Sequence, residues 1–280
     1  WLAGQGFRIT VLPVDGFGRV DPDDLARAMT PDTLLVTIMQ ANNEVGTIQP
    51  VAEAARICRE RGVLFHVDGV QAVGHIPVDV KELGFDMLTM SAHKMYGPKG
   101  VGALYVRKGV KIEPVIHGGG QERGLRSGTE NTAGIVGFGK AAEIAARRLV
   151  DGSIDEEARL RDLLIERATA IEEVSLTGHR TKRLPFHASV CVGSLEGESM
   201  LLRLDAAGIG ASSGSACTSG SLEPSYVLLA MGLSHEAAHG SLRLTLGKDT
   251  SEEDIVYVAE NLQKIVADLR AMSPLWKNRG

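Results

Sequence analysis

The chain has 280 residues, of which 44% are hydrophobic and 4% aromatic, so it can bury one or two cores. Its net charge of -5 argues against a broad nucleic-acid surface, and no apolar run reaches the length of a membrane span, so we expect neither nucleic acid nor a membrane as a direct partner. The three cysteines show no pairing pattern and fit a reducing compartment. We therefore expect a cytoplasmic protein, with an organellar matrix as the alternative.

The first half of the chain alternates strand-like and helical patterns. A helical pattern begins after Pro50, ends at Gly62 and carries Cys58. Apolar runs predict strands at residues 7–14, 34–39, 63–68, 87–91 and 103–106. This alternation is typical of an α/β fold with a mainly parallel sheet covered by helices on both faces.

The pattern changes after Gly128. Two helices are predicted at residues 131–150 and 154–174, followed by short strands and a last helix at residues 252–272. We predict a domain boundary near residue 145, within the first of these helices. It would separate a larger domain, residues 1–145, from a smaller C-terminal α+β domain, residues 146–280.

The segment from Ser91 to Gly100 is the most informative part of the chain. It follows a buried strand and places Lys94 beside the hydroxyl of Ser91 and the imidazole of His93, on a turn rich in Gly and Pro. A lysine attacks a carbonyl only when its amine is neutral, which requires a desolvated or cationic setting. The segment therefore predicts a Schiff-base lysine.

A carboxylate at the end of the preceding strand points to the same chemistry. The strand at residues 63–68 ends in Asp68, and Gln71 follows three residues later. In pyridoxal phosphate chemistry a carboxylate pairs with the pyridinium nitrogen, so that the ring accepts electrons. His66 and Asp68 could also face one side as metal ligands, but no third ligand with suitable spacing is evident, so we expect no metal.

Only one of the three cysteines has the surroundings of a reactive thiol. Cys58 lies in an amphipathic helical pattern and Cys191 in a strand-like run, so both are expected to pack in the interior. Cys217 lies in a Ser- and Gly-rich segment with little apolar content, where a thiol would be exposed.

Together these motifs resemble the class V, fold-type I enzymes that use pyridoxal 5'-phosphate, and among them the cysteine desulfurases. The resemblance covers essentially the whole chain and is carried by residues 41–47, 66–71, 91–100, 117–129 and 212–226. It implies the fold-type I transferase fold, pyridoxal 5'-phosphate as cofactor and L-cysteine as substrate. The implied reaction yields L-alanine and a persulfide on Cys217, which supplies sulfur for iron-sulfur cluster assembly or other thiolation.

The resemblance also implies roles for individual residues. Lys94 would hold the cofactor covalently and move protons, while the Cys217 thiolate would attack the substrate sulfur. The remaining assigned residues would bind the cofactor or the substrate: Asp68 at the ring nitrogen, Gln71 at the ring hydroxyl, Ser91, His93 and Thr129 at the phosphate, Asn43 near ring and substrate, and Arg243 at the substrate carboxylate. Thr129 would reach across from a second subunit, which implies a homodimer, and the sulfur acceptor would be an iron-sulfur scaffold protein or another acceptor.

Residues 1–6 resemble a helix end well inside a complete family member. We therefore expect an N-terminal part of the large domain to be missing, and the isolated segment to bind cofactor weakly and to show weak activity. Two alternatives to a desulfurase stay open: a transaminase or selenocysteine lyase on the same fold, and a catalytically silent interaction subunit.

Overall fold

The computed structural model describes residues 1–214, 223–273 and 276, which form two compact units. The first unit contains Trp1–Met29, Ala41–Pro50 and Ser153–Gly280, and the second contains Thr30–Gln40 and Val51–Gly152. Two N-terminal stretches thus group with the C-terminal half. The domain division at residue 145 stays a prediction.

The helices and strands of the described residues are numbered here in chain order. The helices are α1 (Pro22–Ala28), α2 (Val51–Glu60), α3 (Val80–Leu83), α4 (Thr132–Arg148), α5 (Ser153–Thr169), α6 (Gly197–Ala206), α7 (Tyr226–Ala230), α8 (His235–His239) and α9 (Glu252–Met272). The strands are β1 (Leu35–Met39), β2 (Leu64–Asp68), β3 (Met87–Ser91), β4 (Gly102–Val106), β5 (Val174–Leu176), β6 (His187–Val192) and β7 (Ser241–Thr245). None of these helices combines the length and the apolar content needed to cross a membrane.

The sheet of the second unit has the order β1-β2-β3-β4, with the first three strands parallel and β4 antiparallel. The predicted mainly parallel sheet is therefore confirmed, as are its strand positions to within one residue. Val36, Phe65 and Val67 are buried on alternate positions of β1 and β2, and α2 packs against β2. Leu35 and Leu104 are exposed, so helices cover one face more completely than the other.

The first unit has an antiparallel sheet of order β5-β6-β7. Its core is formed by α5, α6, α9 and the sheet, and includes the buried Leu160, Leu164, Met200, Leu204, Leu242 and Leu262. The helix α9 begins at a capping box, in which Ser251 and Asp254 bond each other's backbone N–H. The predicted start of this helix is confirmed.

Two predicted elements differ from the structure. Residues 7–14 form no strand, and Phe7, Ile9 and Val11 are exposed. The prediction was wrong because an alternating pattern makes a strand only where a neighbouring strand satisfies its backbone groups. The helix predicted at residues 154–174 ends at Thr169, since Val174 is buried and pairs with Val192 in the sheet.

Candidate active site

Lys94 lies in a single 3-10 turn, Ala92–Met95, that directly follows β3. Ala92 and Met95 are buried and anchor the turn, while the side chains of His93 and Lys94 are exposed. The N–H of Gly97 bonds the carbonyl of Ala92 at 2.8 Å, and a Cβ at Gly97 would lie 2.9 Å from that oxygen. A glycine is therefore required where the turn closes.

Asp68 and Ser91 end two neighbouring parallel strands, β2 and β3, and so lie at the same edge of the sheet. The Ser91 hydroxyl is 2.7 Å from Nδ1 of His93. Gly69 lets the chain leave β2 close to β3, because a Cβ there would lie 2.5 Å from Cδ1 of Leu88. This edge carries the lysine cluster, which we define as Asp68, Gln71, Ser91, His93 and Lys94.

The chemistry of the lysine cluster suits an aldehyde cofactor with an anionic group. Its amine can bond an aldehyde covalently, its hydroxyl and imidazole can donate to the anion, and its carboxylate can pair with a protonated ring nitrogen. The half-buried Gln71 adds an amide that donates and accepts. The donor set therefore fits the group that the sequence predicts.

His75 supports the turn from behind and was missed by sequence reasoning. Its ring is 5% exposed, and Nε2 lies 2.8 Å from the carbonyl oxygen of Lys94. Since a carbonyl only accepts, Nε2 carries the proton and donates it. The ring also meets Tyr96 edge-on, with centroids 6.4 Å apart. One imidazole in an apolar stretch gives no signal that it bonds a residue 19 positions away.

Thr129 lies in the second unit and is exposed. It precedes Asn131, whose side chain caps α4 by accepting from the N–H of Gly134 at 3.1 Å. Within the described part of the chain, its hydroxyl makes no hydrogen bond to the lysine cluster. Its assignment to the phosphate of a second subunit stays a prediction.

Arg243 and Asn43, both in the first unit, are brought together by the fold. Nη1 of Arg243, in the middle of β7, donates to the backbone carbonyl of Asn43 at 2.9 Å. Nε2 of His187 donates to the same carbonyl at 3.2 Å. The guanidinium is half-buried and held at one corner, which suits it to bind a carboxylate with its remaining N–H groups.

His187 is the most deeply buried histidine of the site, at 1% exposure. Its ring lies against Gly46, where a Cβ would be 2.9 Å from the imidazole and φ is +76°. Burial, with the nearby charges of Arg183 and Arg243, lowers the pKa of His187 to about 3, although the bond to Asn43 opposes this. The ring is therefore neutral near pH 7.

This neutral ring predicts a loss of stability in acid. Above pH 6.5 His187 is neutral in the folded and the unfolded chain, so it does not make the stability depend on pH. Between pH 6.5 and about 3 the unfolded chain binds a proton at His187 that the folded chain does not. The free energy of unfolding should fall by up to about 1.4 kcal/mol per pH unit in this window. In urea unfolding at pH 7.5, 6 and 5, His187→Gln should show a shallower decline. The exposed His235→Gln should behave as wild type, and an unchanged slope in His187→Gln would contradict the prediction.

Cys217 lies outside the described residues. The other two cysteines are buried, as predicted. Burial raises the pKa of Cys58 to about 11 and that of Cys191 to about 12. Neither thiol is accessible or ionised near neutral pH, so neither is a suitable nucleophile.

The chain is similar to known proteins in both sequence and structure. Residues 2–258 match the family model "Aminotransferase class-V". The cysteine desulfurase IscS of Methanosarcina thermophila is 54% identical over 275 residues, which are 98% of this chain and 68% of that protein. The solved structure of a NifS-like protein matches with a TM-score of 0.88 at 39% identity, over 95% of this chain and 70% of that one. A structure described as SspA in complex with cysteine matches with a TM-score of 0.72 at 34% identity, over 88% and 68% of the two chains.

Proposed function

The chain belongs to the class-V aminotransferase family, and on that premise we propose that it is a cysteine desulfurase that captures sulfur from L-cysteine on Cys217. The single observation that carries this proposal is the lysine cluster at the shared edge of β2 and β3. Identity of 54% with an IscS desulfurase, over 98% of the chain, supports it.

The cofactor of this family is pyridoxal 5'-phosphate, and the lysine cluster fits it. Lys94 would hold the aldehyde carbon, Asp68 the ring nitrogen and Gln71 the ring hydroxyl, while Ser91 and His93 would donate to the phosphate. When bound, this cofactor withdraws electrons from the substrate carbon that carries the amino group. His75 would keep the Lys94 backbone in place while the side chain acts.

The residues of the chain divide the remaining work. The Arg243 guanidinium binds the carboxylate of L-cysteine, and Asn43 lies beside it. The Lys94 amine takes and returns the proton at the substrate carbon. The Cys217 thiolate attacks the substrate sulfur, so that an S–S bond forms and the C–S bond breaks. The electron pair of that bond stays on the carbon fragment, which gains a proton and leaves as L-alanine.

The partners and location follow as further parts of the proposal. The protein works as a homodimer, in which Thr129 serves the cofactor of the second subunit. The persulfide passes to an acceptor such as an iron-sulfur scaffold protein. The free Cys58 and Cys191 are compatible with a reducing compartment, for which the cytoplasm is our choice.

Product analysis tests the proposed reaction. The full-length protein, with pyridoxal phosphate, L-cysteine and excess thiol reductant, should release alanine and sulfide in equal amounts. Without reductant, one alanine should form for each persulfide on the protein. A keto acid produced without sulfide would instead identify a transaminase.

A further inference from the structure

A buried carboxylate next to Asn43 has no role in the chemistry described above. Glu44 is 4% exposed, and the Asn42 side chain turns it inward by accepting from the N–H of Glu44 at 2.8 Å and that of Val45 at 3.0 Å. The hydroxyl of Ser225, itself 3% exposed, donates to Oε2 of Glu44 at 2.5 Å. The pKa of Glu44 is raised, because the effect of burial exceeds the opposing effects of this bond and of the charge of Arg243.

The bond to Glu44 also sets where α7 begins. Ser225 is the N-cap of α7, and its Oγ accepts from the N–H of Leu228 at 3.3 Å. A hydroxyl has one proton to donate, and Ser225 donates it in the hydrogen bond to Glu44. The lone pairs of Oγ are then directed at the first turn of α7. Glu44 therefore holds the start of α7, which follows residues 215–222 in the chain.

Gly214, the last described residue before residues 215–222, lies at the same place. Gly214 donates to Oγ of Ser241 at 3.1 Å, and Ser212 forms an antiparallel bridge with Arg243, with N–O distances of 3.1 and 2.6 Å. A Cβ at Gly214 would lie 3.2 Å from Cβ of Ser225 and 3.5 Å from Oε2 of Glu44. Residues 214 and 225 thus meet beside the Glu44 carboxylate.

The same short segment holds the arginine. The carbonyl of Asn43 accepts from Arg243, and the adjacent Glu44 accepts from Ser225. The consecutive residues Asn43 and Glu44 therefore bond the proposed substrate-binding guanidinium and the N-cap of α7.

We propose that Glu44 is a positioning residue, which fixes Ser225, close after the segment that contains Cys217, beside Gly214 and in register with Arg243. The inference rests on the proposed function, because the register matters only if the Cys217 thiol must meet a substrate held by Arg243. Glu44 acts in this role through its hydrogen bond with the Ser225 hydroxyl.

Single-turnover persulfide formation in the full-length protein tests this inference. Glu44→Ala and Ser225→Ala should each slow persulfide formation about tenfold, and the double variant should be no slower than Glu44→Ala, because both remove one interaction. Glu44→Gln keeps an oxygen that accepts from Ser225 and should stay within about threefold of wild type. Ser234→Ala is the matched control, since it removes the N-cap of α8 without touching Glu44 and should leave the rate unchanged.

A second readout separates positioning from a structural role. In Glu44→Ala, borohydride trapping of the cofactor on Lys94 and the KM for L-cysteine should stay as in wild type. Loss of the trapped label together with persulfide formation, a wild-type rate in Glu44→Ala, or additive effects in the double variant would each overturn the inference. If Glu44→Ala does not fold, equal rates in Ser225→Ala and Ser234→Ala would overturn it. A wild-type protein that forms no persulfide would refute the proposed function itself.

Discussion

The Lys94→Ala variant of the full-length protein should release alanine from L-cysteine about a thousandfold more slowly than wild type. The expected loss is large because one amine both holds the cofactor and moves the proton at the substrate carbon. Within the lysine cluster no second amine can replace it, since the other members are a carboxylate, an amide, a hydroxyl and an imidazole. Alanine production at saturating L-cysteine measures the effect.

Lys99→Ala is the matched control for this variant. Lys99 lies on the same Gly- and Pro-rich segment and is exposed, but is not part of the lysine cluster. Borohydride reduction in the presence of pyridoxal phosphate should label Lys94 in wild type and in Lys99→Ala, and should label neither position in Lys94→Ala. A label on Lys99, or none on Lys94 in wild type, would contradict the assignment.

Cys217→Ala should abolish the persulfide and the release of sulfide from L-cysteine. The expected effect is complete because the buried thiols of Cys58 and Cys191, with pKa values raised to about 11 and 12, cannot take over the attack. Mass spectrometry of the protein after a single turnover would detect one added sulfur atom in wild type and none in the variant.

Cys58→Ala supplies the matched control, because it also removes one thiol but from the interior of α2. It should form the persulfide at the rate of wild type. Unchanged sulfide and alanine production in Cys217→Ala would favour the selenocysteine lyase alternative. Absence of both cofactor absorbance and turnover in wild type would favour a catalytically silent subunit.

The lysine cluster could be predicted because its members follow local patterns. Apolar runs identified β2 and β3, and each run ends in a polar residue, Asp68 or Ser91. Parallel strands place these ends at one edge of the sheet. The positions of Asp68 and Ser91 along the chain were therefore enough to predict that the two residues lie at that edge. The false strand at residues 7–14 shows the limit of the same reasoning, because alternation does not reveal whether a partner strand exists.

The interactions of Arg243 and Glu44 could not be predicted in this way. Arg243 bonds a carbonyl 200 residues away, and Glu44 bonds a hydroxyl 181 residues away. An acidic residue in a polar motif has the pattern of a surface residue, and only tertiary packing reveals its burial. The resemblance assigned Arg243 to the substrate but gave no role to Glu44, His75 or His187.

The carbonyl oxygen that receives both Arg243 and His187 belongs to the main chain of residue 43. Every amino acid carries that atom, so drift of the residue 43 side chain during evolution leaves the acceptor in place. Substitutions of Asn43 would therefore test the role of its side-chain amide, because the backbone acceptor remains in every variant. The hydrogen bond that positions Arg243 therefore depends on the backbone conformation at residue 43 and not on the identity of its side chain.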